Sequence, residues 1–287
     1  MHRRIQGYEE RLMQAEEANQ SKTTFLSRMS HEIRTPMNGI IGMTEIALKP
    51  EQSDERRIDC LNKVHASSLY LLDLLNGILD MTKIENNKML LGDAPFSMSH
   101  VVKELNAVSA GRLAARNQKL VVDMRMQHDW FTGDALRLSQ VLTNVLGNAV
   151  KFTPKGGEIY LEISEIPSPD PASARFVFRI SDTGVGMSRE YLSHIFEMFT
   201  REQNAYSQGV QGTGLGMAIT KKLVDQMHGS LDVESEPGKG STIIAMTANV
   251  FADDVKACLD AGMNSHVGKP LDMKVLIGEI LKYTDAR

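Results

Sequence analysis

"DALRLSQVLTNVLGNAVKFTPKGG", residues 134–157, carries two patterns on one helical stretch. Leu138, Val141, Leu142, Val145, Leu146 and Val150 recur at helical spacing and make an apolar face, while Asn144, Asn148 and Lys151, at i, i+4 and i+7, make a polar stripe beside it. The apolar face predicts a helix laid on a sheet. Amides are unusual on such a helix. An asparagine oxygen offers a hard cation a neutral ligand without adding negative charge near phosphates, and Lys151 adds a point charge for phosphate oxygens. For this helix alone a solvated polar face is the competing reading, so the neighbouring segments have to decide.

From about Asp93 onward, helix and strand patterns alternate. A helical pattern spans 98–115, and "KLVVDMRM" (119–126), "EIYLEISEI" (158–166), "RFVFRIS" (175–181) and "SLDVES" (230–235) read as strands. Together they predict a mixed sheet covered by helices. Two glycine clusters punctuate it. "SDTGVGM" (181–187) follows a strand and puts Asp182 at its end, where a buried carboxylate suits an exocyclic amine such as that of adenine. "QGTGLGMAITKKLVDQMHG" (211–229) opens a helix, and Gly212, Gly214 and Gly216 at its start suit close backbone approach to an anion. Neither cluster matches the G-x-x-x-x-G-K-[ST] phosphate loop, and no dinucleotide fingerprint sits on the first strand of a βαβ unit. Between them "HIFEMFTREQNAYSQGVQ" (194–211), anchored by Phe196 and Phe199, reads either as a lid over a nucleotide or as an ordinary long loop.

Before this layer lies a helical hairpin. Ile5, Leu12, Leu26, Ile33, Ile40 and Ala47 fall on one heptad position, and Tyr8, Ala15, Met29 and Met43 on the other, with a polar gap at Asn19 and Lys22. A second helix runs from about Asp54 to Asn86, with Ile58, Leu61, Leu72, Leu75 and Leu79 along one face and Val64, Leu71 and Ile78 widening it. The stretch Lys49–Ser53, with Pro50, makes the turn. Stripes this broad need a partner, most simply a second copy that completes a four-helix bundle.

On the first helix "SHEIRTP" (30–36) places His31 outside the seam, toward solvent. Pro36 removes a backbone donor and crowds the Glu32 carbonyl, so a bend is expected one turn past the histidine. A zinc-protease reading of "HEIRT" needs a second histidine at position 35, where threonine stands. What remains is an imidazole beside Glu32: if the carboxylate takes the proton of one ring nitrogen, the other becomes a nucleophile.

Composition narrows the function classes. The 287 residues are 42% hydrophobic, enough for about two globular domains, and a net charge of −4 with mixed signs leaves no basic field for nucleic acid. No apolar run approaches the roughly 20 residues of a membrane span, and the first residues lack a secretory pattern. Cys60 and Cys258 sit far apart with no metal-ligand cluster around them, which suits reduced thiols and a cytoplasmic setting.

Five motifs, taken together, resemble those of the sensor histidine kinases of two-component signalling. "FLSRMSHEIRTPMNGIIG" is similar to that family's phosphoacceptor box and "NVLGNAVKFT" to its asparagine box. "DTGVGM" and "GTGLGMAI" are similar to its two glycine boxes, and "IFEMFTRE" to its phenylalanine box. They stand in the family's order across about residues 20–243.

The resemblance implies an α+β chain. Residues 1–19 would form a helical linker, 20–90 the helical-hairpin dimerisation and phosphoacceptor domain, and 91–243 an α/β-sandwich ATP-binding domain with a mixed sheet. It further implies that His31 is phosphorylated by ATP, with Glu32 as its hydrogen-bonding base and Thr35 as the residue that positions water for the reverse reaction. Asn148 would hold Mg2+, with Asn144 and Lys151 near the phosphates. Asp182 would read the adenine amine, and Gly184, Gly186, Gly212, Thr213, Gly214, Leu215 and Gly216 would shape the pocket and lid. Arg201 falls on a basic lid position that meets the γ-phosphate. The implied partners are a second copy and the receiver domain of a separate response regulator, to which the phosphoryl group passes. A non-catalytic dimerisation or ATP-binding module satisfies the same motifs, and phosphohistidine formation separates the two. Gyrase-like and chaperone-like ATPases share the nucleotide fold without the histidine helix.

The C-terminal stretch departs from this pattern. Residues 244–287, "IAMTANVFADDVKACLDAGMNSHVGKPLD" onward, resemble the second half of a receiver domain in βαβα order, with Thr247 on its switch threonine and Lys269-Pro270 on its phosphate-binding lysine and following proline. The acidic pair and the phosphoacceptor of a receiver have no counterpart, so Asp253, Asp254, Asp260 and Asp272 are not read as acceptors. "STIIAM" (241–246), alternating and β-branched, suits the last strand of the ATP-binding domain.

Overall fold

The structure, a computed structural model, describes residues 26–85, 89, 91–166, 174–202 and 212–247. These fall into two compact units. One is the hairpin up to Thr82, grouped with Glu197–Arg201 and 212–215. The other is Lys83–Phe196, Glu202 and the chain from Gly216.

In the first unit α1 (residues 26–47) and α2 (Asp54–Glu85) are joined by a short turn. The Ser53 hydroxyl accepts from the Arg56 amide, Asp54 and Glu55 lie in the first turn of α2 and Lys83 in its last, so hydroxyl and charges match the helix ends. The helix that the sequence predicts from Asp54 is present and is described as far as Glu85.

The hairpin alone buries only part of the apolar stripe expected on α2. Cys60, Leu74, Ile78, Met81 and Ile84 are the buried residues of α2, whereas Ile58, Leu61, Leu72, Leu75 and Leu79 are 41–59% exposed and Leu26 is 53% exposed. A helix apolar over so much of its circumference buries only one sector against a single neighbour. The other sector stays in solvent. On α1, Pro36 is buried, and the helix runs through it without interruption. The Thr35 hydroxyl donates to the His31 carbonyl at 3.2 Å, one turn back along the same helix.

The second unit is built on a five-stranded mixed sheet in the order β2-β4-β5-β7-β6. Its strands are β2 (Lys119–Arg125), β4 (Glu158–Ile166), β5 (Arg175–Asp182), β6 (Ser230–Glu236) and β7 (Gly240–Met246). The pair β2–β4 is parallel and the rest antiparallel. Ile159, Leu161 and Ile163 of β4, Phe176, Phe178 and Ile180 of β5, and Ile243 and Ala245 of β7 are buried in strict alternation. Register sets Leu161 opposite Ile180, and Ile180 opposite Ile243, so they share one face.

The helices α3 (Met98–Ala115), α4 (Ala135–Phe152) and α6 (Gly216–Gln226) supply the other half of this core. α4 contributes Leu138, Val141, Leu142, Val145, Leu146 and Val150, the stripe read from the sequence, together with Ala149. Asp134 caps α4 by accepting from the Arg137 amide at 2.9 Å, and also accepts from the Gly92 amide at 2.8 Å. Leu146 is completely buried. Its replacement by alanine is expected to cost about 2–5 kcal/mol, read as a lowered denaturant midpoint at unchanged slope.

A two-stranded antiparallel sheet, β1 (Ala94–Ser97) with β3 (Trp130–Gly133), was not foreseen. Its Phe131 ring meets Phe176 of β5 edge-on, 4.6 Å between centroids, so an aromatic contact ties the small sheet to the large one. "STIIAM" is an inner strand: β7 lies between β5 and β6, and past its end Thr247 donates its amide to the Phe176 carbonyl and accepts the Phe176 amide on its hydroxyl. Residues 248–287, with the receiver-like stretch and Lys269-Pro270, lie outside the described residues, as do residues 1–25 and residues 203–211 between the two glycine clusters. Among the described residues no helix is long and apolar enough to cross a membrane.

Candidate nucleotide-binding and phosphoacceptor sites

The glycine turn after β5 forms because Asp182 folds back on it. Its Oδ1 accepts from the Gly184 amide at 2.8 Å, and the Val185 amide bonds the Phe152 carbonyl at the end of α4. A Cβ on Gly184 would come within 2.8 Å of that carbonyl oxygen, so the approach of α4 to the turn requires glycine. Gly186 adopts φ 65°, and the Val185 carbonyl accepts from the Gly238 amide of the β6–β7 turn. Burial pushes the Asp182 carboxyl above its usual range, against the pull of the Gly184 and Ser241 amides. A half-buried acid held by two backbone donors suits a fixed hydrogen-bonding role.

The asparagine stripe divides. Asn144 donates to the Gly216 carbonyl and to the Thr220 hydroxyl, both at 3.3 Å, and so links α4 to the first turn of α6. Thr220 is completely buried, and it passed unnoticed in the sequence because a threonine inside an apolar helix gives no local sign of its partner. Asn148, one turn on, is half-buried and its amide has no hydrogen-bond partner among the described residues. Lys151 is half-buried in the last turn of α4, its ammonium 5.2 Å from the centroid of the Phe152 ring. Asn148 is therefore the amide of the stripe without a partner among the described residues, and its side-chain oxygen is of the type that would hold a Mg2+.

The second glycine cluster behaves differently from the first. Gly214 has φ 68° and packs against the Phe199 backbone, and the Phe199 amide bonds its carbonyl at 3.0 Å. Phe199 itself has φ 61°. Leu215 is buried, and its amide bonds the Thr213 hydroxyl at 3.3 Å, while Gly212 is half-buried. α6 starts at Gly216, the last of the three glycines that the sequence reading set at the helix start, and this glycine has room for a Cβ. Arg201 is exposed.

In the hairpin unit His31 is exposed and Glu32, the next residue, half-buried. Glu32 Oε2 accepts from the Tyr70 hydroxyl of α2 at 3.0 Å. Tyr70 was missed, although it lies four residues before Leu74 and eight before Ile78, on the stripe that α2 buries.

These two clusters coincide with two family models. Residues 21–87 match the His Kinase A (phospho-acceptor) domain, and residues 133–249 match the histidine kinase-, DNA gyrase B-, and HSP90-like ATPase. Among named relatives, sensor histidine kinase GacS of Pseudomonas protegens is 38% identical over 229 residues, which is 79% of this chain and 25% of the relative. The signal transduction histidine-protein kinase BarA of Escherichia coli K12 is 36% identical over 230 residues, again 79% of this chain and 25% of the relative. The chain thus spans about a quarter of the length of these relatives. Among solved structures, full-length ShkA in complex with AMPPNP superposes with a TM-score of 0.58 at 28% identity, covering 79% of this chain and 46% of that one. The histidine kinase ThkA in complex with the response regulator protein TrrA shares the fold, with a TM-score of 0.56 at 19% identity over 79% of this chain and 61% of that one. With a phospho-acceptor hairpin and an ATPase domain of this type in this order, the chain belongs to the sensor histidine kinases.

Proposed function

We propose that the chain is an ATP-dependent protein-histidine autokinase that phosphorylates His31 and passes the phosphoryl group to an aspartate on a separate response-regulator receiver domain. The observation that carries the reading is His31 itself: an exposed histidine on a helix, followed by a carboxylate, in a chain whose other unit holds a half-buried aspartate in a glycine turn. In the proposed reaction the neutral imidazole presents the lone pair of one ring nitrogen to the γ-phosphorus. An N–P bond forms, the bond to the bridging oxygen of ADP breaks, and the proton on the other ring nitrogen passes to Glu32 and on to solvent. Asp182 accepts from the adenine amine and fixes the base, while Lys151 and Arg201 face developing phosphate charge. Mg2+, held by Asn148, would supply charge neutralisation at the phosphate oxygens when bound. The Thr35 hydroxyl donates to the His31 carbonyl and keeps its oxygen lone pairs to accept from a water in dephosphorylation.

The exposed leucines of α2 support a homodimer, in which Leu61, Leu72, Leu75 and Leu79 of two hairpins complete a four-helix bundle. Changing Leu72 and Leu75 together to glutamate is expected to give a monomer by sedimentation, since each charge would have to be buried at the interface. The free, buried Cys60 accords with a cytoplasmic location. The receiver partner accords with the ThkA complex, whose second chain is a response regulator. Incubation with Mg2+ and ATP labelled at the γ-phosphate tests the reaction: acid-labile, base-stable label on the protein is the expected result. Nucleotide binding without such label would favour a non-catalytic module.

A further inference from the structure

The Tyr70–Glu32 hydrogen bond joins residues 38 apart in sequence, from the middle of one hairpin helix to the acceptor turn of the other. Adjacent residues on a helix point about 100° apart, so nothing in α1 by itself fixes the Glu32 carboxylate relative to the His31 imidazole. A free glutamate side chain rotates about three bonds; a tyrosine ring has two torsions. The ring of Tyr70 is half-buried, on the same stripe of α2 as the buried Leu74, Ile78 and Met81. We propose that Tyr70 is a positioning residue for phosphoryl transfer: its hydroxyl holds Oε2 of Glu32 and leaves Oε1 to take the proton of His31 as the imidazole attacks. This inference rests on the reading of His31 as the phosphoacceptor.

The electrostatics agree with the geometry. Burial, then the hydrogen bond to Glu32 and the charge of that carboxylate, push the Tyr70 hydroxyl up to about 12, with Arg201 pulling weakly the other way. The phenol therefore stays a donor at any working pH, and Glu32 stays the acceptor. A neutral donor also leaves the carboxylate its negative charge, which an ammonium or guanidinium in the same place would compensate.

Tyr70→Phe removes the hydroxyl and keeps the ring, so the stripe packs as before. The rate of phosphohistidine formation at saturating ATP is expected to fall about tenfold, with the KM for ATP unchanged, because Tyr70 acts on the acceptor and not on the nucleotide. In the Glu32→Gln background the same change should cost nothing further, since the group it positions is gone. A wild-type rate in Tyr70→Phe, a faster rate, or losses that multiply in the double variant would each overturn the role of Tyr70 while leaving His31 as acceptor. A wild-type protein that takes no label on His31 would overturn the kinase reading, and this role with it.

Discussion

The His31→Gln protein is expected to take up no acid-labile phosphate from labelled ATP, while binding nucleotide as the wild type does. Glutamine matches the imidazole in reach and polarity, but its amide nitrogen has no available lone pair, so the N–P bond has no donor. Loss of the nucleophile removes the reaction path, a reduction on the order of 10^3-fold or more. His31 is exposed, so the fold should be nearly untouched, within about 0.5 kcal/mol. Unchanged melting and nucleotide affinity, with the label gone, therefore isolate the chemical step. Undiminished label would place the acceptor on another side chain.

Asp182→Asn is expected to separate binding from stability. The asparagine oxygen still accepts from the Gly184 amide, which leaves an NH2 group in place of the other carboxylate oxygen, facing the amine of the base where an acceptor is required. Two donors then oppose one another in a half-buried place, and ATP affinity should fall about 100-fold or more by calorimetry.

Stability should move the opposite way. The carboxyl is raised by burial above its unfolded value, so its ionisation opposes folding. The contribution of the protonated carboxyl is fully present below the unfolded value near 4 and is lost as pH rises through the folded one. The ligand-free variant should therefore melt no lower than wild type at pH 8, with any advantage shrinking toward pH 3. Thermal melts across that range check it: a variant that melts well below wild type at pH 8 would mean the charge is needed for the fold.

Much of this architecture is written in short-range periodicity. The α4 stripe, the alternation of β4 and β5, the span of α2 and the start of α6 at Gly216 all depend on residues within a turn or two of each other, and each formed where its pattern placed it. Asp182 and its glycines were legible for the same reason, because the carboxylate and the amide it accepts are two residues apart. β1 and β3, four residues each, are too short to show a period and exist because Phe131 finds Phe176.

The remaining choices are made between segments distant in the chain. Asn144 and Asn148 are equivalent on a helical wheel, and only the arrival of α6 engages the first and leaves the second open. α2 offers apolar residues around most of its circumference, and only tertiary packing selects the sector with Leu74 and Ile78 as the one to bury. β7 reads as a strand anywhere, yet its place between β5 and β6 is set by hydrogen bonds to residues about 60 positions away on one side and by a tight turn on the other. Tyr70 is of this kind too, an unremarked aromatic in the sequence that meets Glu32 only because the hairpin closes. Periodicity decides which element a segment becomes; which polar group remains free for chemistry depends on what that element packs against.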